Sequence, residues 1–291
     1  MKQLDTSPLN NNPLIPHLSC KDYTVSKENF NLMKDEETEL LVTSPRPDDA
    51  DLEKYYESES YISHSDTRKS IFDKLYQIVR NYTLGQKVKL IESFEAEGRT
   101  ILDIGAGTGD FLRACKKANW TIDGVEPNNK ARATANEKVG IHLNEKIEDL
   151  KGQRFDVITM WHVLEHVPNL TTYIKQLEQL LKPNGTLIVA VPNHKSYDAN
   201  YYGAFWAAYD VPRHLWHFSQ VAMSTLFKAS SMQVVKTLPM KFDSFYVSLL
   251  SEKYKYGKMK IVRSFYIGLK SNLRAKRTSE YSSLIYIIKK A

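Results

Sequence analysis

Five residues, Thr100 to Ile104, run straight into a stretch in which every second position is glycine: Gly105-Ala106-Gly107-Thr108-Gly109. A short apolar run closed off by glycines reads as a fully buried strand. Glycines at its end open backbone angles that other residues avoid and let a ligand approach the main chain closely. The region after the turn repeats a strand-helix rhythm. Phe111 to Ala118 reads as a helix, Thr121 to Val125 as a strand and Lys130 to Val139 as a helix. Ile141 to Leu143 follows as a short third strand, then Phe155 to Met160 as a fourth. Leu170 to Leu181 is a helix and Thr186 to Val191 a fifth strand, with Pro183-Asn184-Gly185 as the turn between them. Val221 to Ala229 supplies another helix; Gln233 to Leu238 and Ser283 to Lys289 supply two more strands. This order predicts an α/β, Rossmann-like doubly wound sheet with helices on both faces. In such a sheet ligands bind at the carboxyl ends of the strands, where the order reverses.

The chain has 291 residues, enough for one large domain or one domain with an appendage. The first 65 residues are rich in Asn, Ser, Pro and acidic residues, and stretches such as YTVS and ELLVT read as strands of a small N-terminal unit. From Thr67 the pattern turns helical, with Ile71, Phe72, Leu75, Tyr76 and Val79 on one face. The expected division is therefore 1–65 for the appendage and 66–291 for the main domain. The N-terminus has no apolar segment of secretory type, and no apolar run reaches the roughly 18 residues of a membrane span. The expected location is cytoplasmic. Cys20 and Cys115 are the only cysteines, which excludes a disulfide scaffold and a zinc site built from cysteines alone. The net charge of +6 is uneven: Lys253 to Arg277 holds nine Lys or Arg and no acid. That stretch fits a nucleic-acid or membrane-surface patch, or a solvated basic face; the interleaved Tyr254, Tyr256, Ile261, Val262, Phe265, Tyr266, Ile267 and Leu269 favour the last.

A glycine triplet by itself is shared by many nucleotide-binding folds. Here the spacing is G-x-G-x-G followed by Asp110, which departs from the G-x-G-x-x-G dinucleotide fingerprint. The next strand ends in Gly124-Val125-Glu126-Pro127, and an acid at that position can accept hydrogen bonds from ribose hydroxyls. Ahead of the fourth strand stand Glu148 and Asp149, either of which could accept a hydrogen bond from an adenine amino group.

These motifs, together with F-D-V-I-T-M-W-H-V-L-E-H-V-P and L-K-P-N-G-T-L-I-V-A-V-P-N, make the chain resemble the class I S-adenosylmethionine-dependent methyltransferases. It is most similar to the branch of ubiquinone-biosynthesis O-methyltransferases and the methyltransferase type 12 and 23 domains, specifically over residues 98–195 and more loosely over 196–291. The resemblance implies a seven-stranded sheet whose last strand is antiparallel, with S-adenosylmethionine as cofactor and S-adenosylhomocysteine as product. It implies that Asp103, Gly105 and Gly107 shape the methionine and ribose pocket and that Glu126 holds the ribose. Ala106, Gly109, Pro127, Glu148, Asp149, Trp161 and His162 complete the expected cofactor-binding set. The branch often carries an N-terminal zinc-ribbon-like unit. Cys20-Lys21-Asp22-Tyr23-Thr24-Val25-Ser26 and Thr43-Ser44-Pro45-Arg46-Pro47 match its pattern, but Asp35 and Thr38 stand where its paired cysteines would be. The unit is then a degenerate remnant, and no metal is expected.

His162-Val163-Leu164-Glu165-His166 matches H-x-x-E-H, an inverted zinc-peptidase signature that wants both histidines on one helical face. Its place just after a core strand, with Pro168 close behind, argues against that use. In the resembled O-methyltransferases two glutamates and a histidine of this loop are proposed to hold a divalent metal. His162 replaces the first glutamate, which suits magnesium poorly because that ion prefers oxygen ligands.

Residues 193–218 form the expected lid. Within 197–218, eight of 22 residues are Tyr, Phe or Trp, a composition suited to a small, partly apolar acceptor. Tyr201, Trp206 and Arg213 are the expected substrate contacts, with Arg213 able to grip an acidic group. An oxygen acceptor must lose its proton, and His214, with His217 and an orienting Asp210, is the expected catalytic group. Three functions compete. The first is methylation of a small molecule, most readily on oxygen: a quinone precursor, a sugar or a secondary metabolite. The second is an RNA or protein methyltransferase using the basic stretch, against which the absence of an N-P-P-Y-like motif counts, so nucleic acid is not the expected partner. The third is a non-catalytic cofactor-binding scaffold.

Overall fold

The computed structural model describes residues 1–48, 50–56, 71–94 and 96–291. The helical onset at Thr67, the boundary at 65/66 and the side chains of Ile71, Phe72, Leu75 and Tyr76 lie outside the described residues.

The chain opens with three antiparallel strands: β1 (Ile15–Lys21), β2 (Asn29–Lys34) and β3 (Leu41–Thr43). Helix α1 (Ile71–Glu92) leads to β4 (Thr100–Ile104), α2 (Asp110–Lys117), β5 (Thr121–Val125), α3 (Asn129–Val139) and β6 (Phe155–Trp161). Then follow α4 (Leu170–Leu180), β7 (Leu181–Pro192), the short α5 (Tyr197–Tyr202), β8 (Trp216–His217), α6 (Gln220–Lys228) and β9 (Met232–Pro239). Two packed helices, α7 (Asp243–Tyr256) and α8 (Ile261–Thr278), precede the last strand, β10 (Ser283–Lys290).

The main sheet has the order β5-β4-β6-β7-β10-β9. Strands β5, β4, β6 and β7 pair in parallel, and β10 lies antiparallel between β7 and β9. Strand β9 therefore runs with the parallel set, and the reversed strand is the last one, as the resemblance implies. The expected third strand at Ile141 to Leu143 contracts to one parallel bridge, Val125 with Asn144. The Asn136 side chain takes the Leu143 N–H at 2.8 Å, so that donor is lost to any ladder. Successive residues of each strand feed opposite faces. Leu102, Ile158 and Val189 pack with Leu170 and Ile174 of α4 and Phe227 of α6 on one face; Ile101, Val157 and Ile188 pack with Ile91, Phe111 and Cys115 on the other. Both faces are covered, which is what near-continuous apolar strands require.

The N-terminal unit is built into this body. Strand β8, from the segment after β7, pairs with β3 and makes the small sheet β1-β2-β3-β8. Thr43 donates its N–H to Leu215 O at 3.0 Å and its hydroxyl to His214 O at 2.7 Å. YTVS is not a strand. The Asp22 carboxylate gathers the N–H groups of Thr24, Val25 and Ser26, and this local turn defeats β propensity. Asp35 and Thr38, at the positions of the missing cysteines, bond to each other at 2.6 Å. Among the described residues no helix is long and apolar enough to cross a membrane.

Candidate active site

The glycine turn sits where β4 hands over to α2, and it is pinned to its neighbour: the N–H groups of Gly105 and Ala106 both donate to Val125 O, at 2.8 and 3.1 Å. Gly105 and Gly107 adopt φ of 71° and 54°. A β-carbon on Gly105 would stand 2.4 Å from Val163 Cγ2, whereas one on Gly107 would meet nothing within 4 Å. Gly105 is thus glycine for packing. Gly107 turns toward open space, as a ligand cradle needs. The two oxygens of Glu126 accept from Gly107 N at 2.7 Å and Asn128 N at 2.9 Å, which fixes this carboxylate beside the turn at the end of β5. Asp103 is buried beneath it and accepts from the Thr159 hydroxyl at 2.6 Å. Burial pushes the Asp103 carboxyl up to about 7, against the pull of Thr159 and of Lys87. The Lys87 ammonium lies 4.1 Å from the centre of the Trp161 ring, and burial lowers its pKa.

Glu148 and Asp149 both lie exposed on a short turn, Ile147–Leu150. Asp149 closes that turn on Lys146 N at 3.2 Å, and Glu148 accepts from Gln176 at 2.9 Å.

After β6 the chain twists. His162 takes φ of 57° and its ring links two carboxylates, Nε2 to Asp243 at 3.0 Å and Nδ1 to Glu165 at 3.3 Å. Burial opposes its charge, but the hydrogen bonds it donates to Asp243 and Glu165 prevail and push the imidazole up to about 10. His162 is therefore an imidazolium at neutral pH. Leu164–His166 forms one tight turn instead of a helix, so the two histidines of H-x-x-E-H share no helical face. His166 instead points its Nδ1 at Arg213 O, 3.1 Å, and Tyr56 Oη, 2.9 Å.

The aromatic segment is packed more tightly than an acceptor pocket would be. Tyr202, Trp206, Tyr209 and Val211 share a core with Cys20, Phe30, Leu32 and Leu41 of the small sheet and with Val247 and Ile267 of α7 and α8. Trp206 is buried and donates Nε1 to Asp198 at 2.8 Å. Tyr201 is partly exposed and its hydroxyl accepts from Arg263. The Arg213 fork is spent inside the protein: Nε and Nη2 reach Asp210 at 3.0 and 2.6 Å, Nη1 reaches Tyr55 O at 2.9 Å, and Nη2 also meets Asp22 at 3.1 Å and the Thr24 hydroxyl. Those contacts turn Arg213 from an acceptor clamp into a tie between the lid and the N-terminal turn. His217 is buried in the small sheet, 3.2 Å from Thr43 Oγ1; burial and its neighbour His214 hold it neutral. His214 is differently placed. Its Nδ1 faces Ala208 O at 2.9 Å and its ring stands 4.6 Å from that of His166, in edge-to-face contact.

Glu165, His166 and His214 bring one ligand-type atom each within 4.8 Å of one another. Glu165 Oε2 is buried there without a hydrogen-bond partner. Two imidazoles and one carboxylate make a donor set for zinc or a similar transition ion, and do not fit magnesium. Burial, together with the charge of His214, lowers His166 to about 4 and leaves its ring neutral. Lys87 and Asp243 carry no local motif; only the tertiary fold brings Lys87 of α1 to Trp161 and Asp243, the first residue of α7, to His162.

The sequence profile of a family described as a methyltransferase domain matches residues 76–237, more than half the chain. The chain belongs to that methyltransferase family. It is a class I enzyme dependent on S-adenosylmethionine. Among its relatives is a ubiquinone biosynthesis O-methyltransferase of Actinobacillus pleuropneumoniae, 29% identical over 174 residues that cover 54% of this chain and 73% of the relative. Another of that name, from Coxiella burnetii, is 30% identical over 132 residues, covering 42% and 56%. A third, from a second strain of A. pleuropneumoniae, is matched over only 47% of its length, so the methyltransferase spans about half of some of its curated relatives. The fold is shared with magnesium protoporphyrin IX methyltransferase of Synechocystis with bound S-adenosylhomocysteine, at a TM-score of 0.55 and 12% identity, covering 84% of this chain and all of that one. A methyltransferase from Archaeoglobus fulgidus covers 76% of this chain at a TM-score of 0.50, with 18% identity.

Proposed function

We propose that this methyltransferase transfers the methyl group of S-adenosylmethionine to an oxygen of a small, partly apolar acceptor, of the kind found in a quinone precursor, sugar or secondary metabolite. The observation that carries the reading is the Glu126 carboxylate fixed 2.7 Å from the N–H of Gly107, on the open side of the glycine turn. A cofactor ribose laid there exchanges its two hydroxyls for the backbone donors that Glu126 now accepts. The relatives named as O-methyltransferases support an oxygen acceptor.

Methyl transfer from a sulfonium is an in-line displacement: the acceptor oxygen forms its bond to the methyl carbon as the carbon–sulfur bond breaks, and the electron pair leaves on sulfur. The enzyme's share is to hold the oxygen behind the methyl and to take its proton. His214 is the group we assign to the proton. Its Nδ1 donates to Ala208 O, which leaves Nε2 as the acceptor. His166 stands beside it in edge-to-face contact, and Glu165 belongs to the same cluster.

Calorimetry with S-adenosylmethionine and S-adenosylhomocysteine tests the cofactor half of the reading. Wild type should bind in the micromolar range, and Glu126→Ala should lose at least about tenfold, roughly 1.4 kcal/mol. Wild type that binds neither compound sinks the proposal. The acceptor half is tested by a panel of phenols, catechols and sugars, scored by S-adenosylhomocysteine release. Turnover on one class that falls at least about 100-fold in His214→Ala, with cofactor affinity unchanged, supports the assignment of the base.

A further inference from the structure

Helix α8 is amphipathic the wrong way round for a helix that only closes a domain. Its inward face is small and polar: Ser264, Gly268, Ser271 and Ala275 are buried, with Ile267 the one large apolar side chain among them. A β-carbon on Gly268 would lie 3.0 Å from the Phe245 Cα, so α7 and α8 are in backbone-close contact through this face. The large apolar side chains point the other way. Ile261, Val262, Phe265, Tyr266, Leu269 and Leu273 are between 41% and 86% exposed. Their spacing places all six on one continuous arc of the helix at 100° per residue. Scattered exposed apolar residues need no explanation, but a continuous stripe of this length marks a contact surface.

The charges beside the stripe say what covers it. Lys270, Arg274 and Arg277 follow one another along the adjacent flank of the same helix, the first two also over the Tyr197 ring, and Lys258, Lys260 and Lys276 extend the field at its two ends, whereas Arg263 is spent on Glu252 and Tyr201. No acid occurs between Lys253 and Arg277. An apolar stripe bordered by a cationic row, on a helix too polar to cross a bilayer, is the pattern of a helix lying in the plane of a membrane surface. A nucleic acid would engage the cations and leave the six apolar side chains in water. A second copy of this chain would cover the stripe, but it would also gather two acid-free basic stretches in one interface.

We propose that α8 docks this protein on the surface of an anionic lipid bilayer, with the stripe from Ile261 to Leu273 seated at the boundary of headgroups and acyl chains and the flanking cations on lipid phosphates. Strand β9 runs with the parallel strands, so α7 and α8, which leave its carboxyl end, stand on the ligand side of the sheet next to α5. Docking through α8 therefore sets the acceptor side of the enzyme against the bilayer.

The test is co-sedimentation of the full chain with vesicles of phosphatidylcholine alone and of phosphatidylcholine with 30 mol% phosphatidylglycerol, where that fraction is a chosen composition on the order of an anionic leaflet. The expected result is binding to the mixed vesicles only, weakened by 0.5 M salt, since screening acts over roughly 4 Å at about that strength. Val262→Ser with Leu273→Ser should reduce binding at least about tenfold, and Lys276→Gln with Arg277→Gln should weaken it and flatten its salt dependence. All four positions are exposed and outside the cofactor site, so S-adenosylhomocysteine affinity reports that the variants are folded. No sedimentation with the mixed vesicles overturns the proposal, as does binding that the serine variant leaves unchanged. Equilibrium ultracentrifugation covers the other occupants: a dimer that the serine variant dissociates assigns the stripe to a second copy. Binding of poly(U) that requires Val262 and Leu273 assigns it to RNA. Either result overturns the lipid assignment.

Discussion

At Gly105 and Gly107 the same substitution, glycine to alanine, should have two different consequences. At Gly105 the new methyl collides with Val163 at 2.4 Å in a backbone of positive φ. Strain of about 1–2 kcal/mol from the left-handed backbone adds to a clash that the β6–α4 loop must absorb. Gly105→Ala should lower the melting temperature by several degrees as well as abolish cofactor binding. At Gly107 the methyl meets nothing, so only the backbone strain remains and the fold should tolerate it. The methyl nevertheless occupies the side from which a ligand approaches. Gly107→Ala should bind S-adenosylhomocysteine at least about tenfold more weakly with a near-normal melting temperature, as read by differential scanning fluorimetry beside calorimetry. Equal thermal losses in both variants would show that Gly107 is glycine for packing too. These residues were legible in the sequence because their constraint is local: a turn with every second residue glycine has few uses. Arg213 was not legible in that way. A guanidinium in an aromatic loop reads as an acceptor clamp until the fold delivers Asp22 and Tyr55 to it from far up the chain.

Elements show the same division between local and delivered information. The four parallel strands follow from apolar runs and glycine or Asn-Gly punctuation; three form where expected, and β7 begins at Leu181, five residues before Thr186, and runs through the expected Pro183-Asn184-Gly185 turn. The third strand contracts because the Asn136 side chain takes the Leu143 N–H, and YTVS becomes a turn because Asp22 collects its amides; both are side-chain competitions that hydrophobic periodicity does not register. The link between the β6 loop and α7 is likewise tertiary. It predicts a pH effect with a definite sign. His162 is raised from about 6.5 in the unfolded chain to about 10 in the fold, by Asp243 and Glu165. A raised folded pKa contributes stability that is complete below the unfolded value and is lost as pH climbs toward the folded one. The melting temperature should therefore fall between pH 7 and 10, and Asp243→Asn should flatten that fall while lowering the melting temperature at pH 7. A wild type whose stability is level across this range would mean that His162 is neutral in the fold. Arg213→Ala tests the other tie between elements. It strands Asp22 and Asp210, both held below the ordinary carboxylate range by contacts that include this arginine, and should cost about 3–5 kcal/mol, seen as a lowered urea midpoint.

At the scale of the molecule, the N-terminal unit and the lid form one layer. They share the sheet β1-β2-β3-β8, and one core joins Phe30, Leu32 and Leu41 to Tyr202, Trp206 and Tyr209. The half that carries the glycine turn has one face free of that layer, where Ile101, Val157, Ile188 and Ile287 pack with Phe111, Cys115 and Trp120, while its other face shares a core with Val42 and Trp216 of the small sheet. Groups that share a sheet and a core open together, because exposing one strips the other of its hydrogen bonds and apolar cover. Asp22→Asn is a mild way to loosen that layer. It keeps the size of the side chain, removes the charge that faces Arg213 and weakens the turn built on the carboxylate; a hydrogen bond to a charged group contributes about 1.5–3 kcal/mol. In native-state hydrogen exchange, amides of residues 15–43 and of 197–218 should lose protection by the same factor, on the order of tenfold or more. Amides of β4, β6 and β10 should keep theirs, and S-adenosylhomocysteine should bind with nearly wild-type affinity while acceptor turnover falls. Loss confined to residues 15–43 would mean that the lid is held by α7 and α8 alone, and the N-terminal unit would then have no part in shaping the acceptor side. Joint loss in both segments, with the sheet intact, would make the first strands of the chain a wall of the acceptor site.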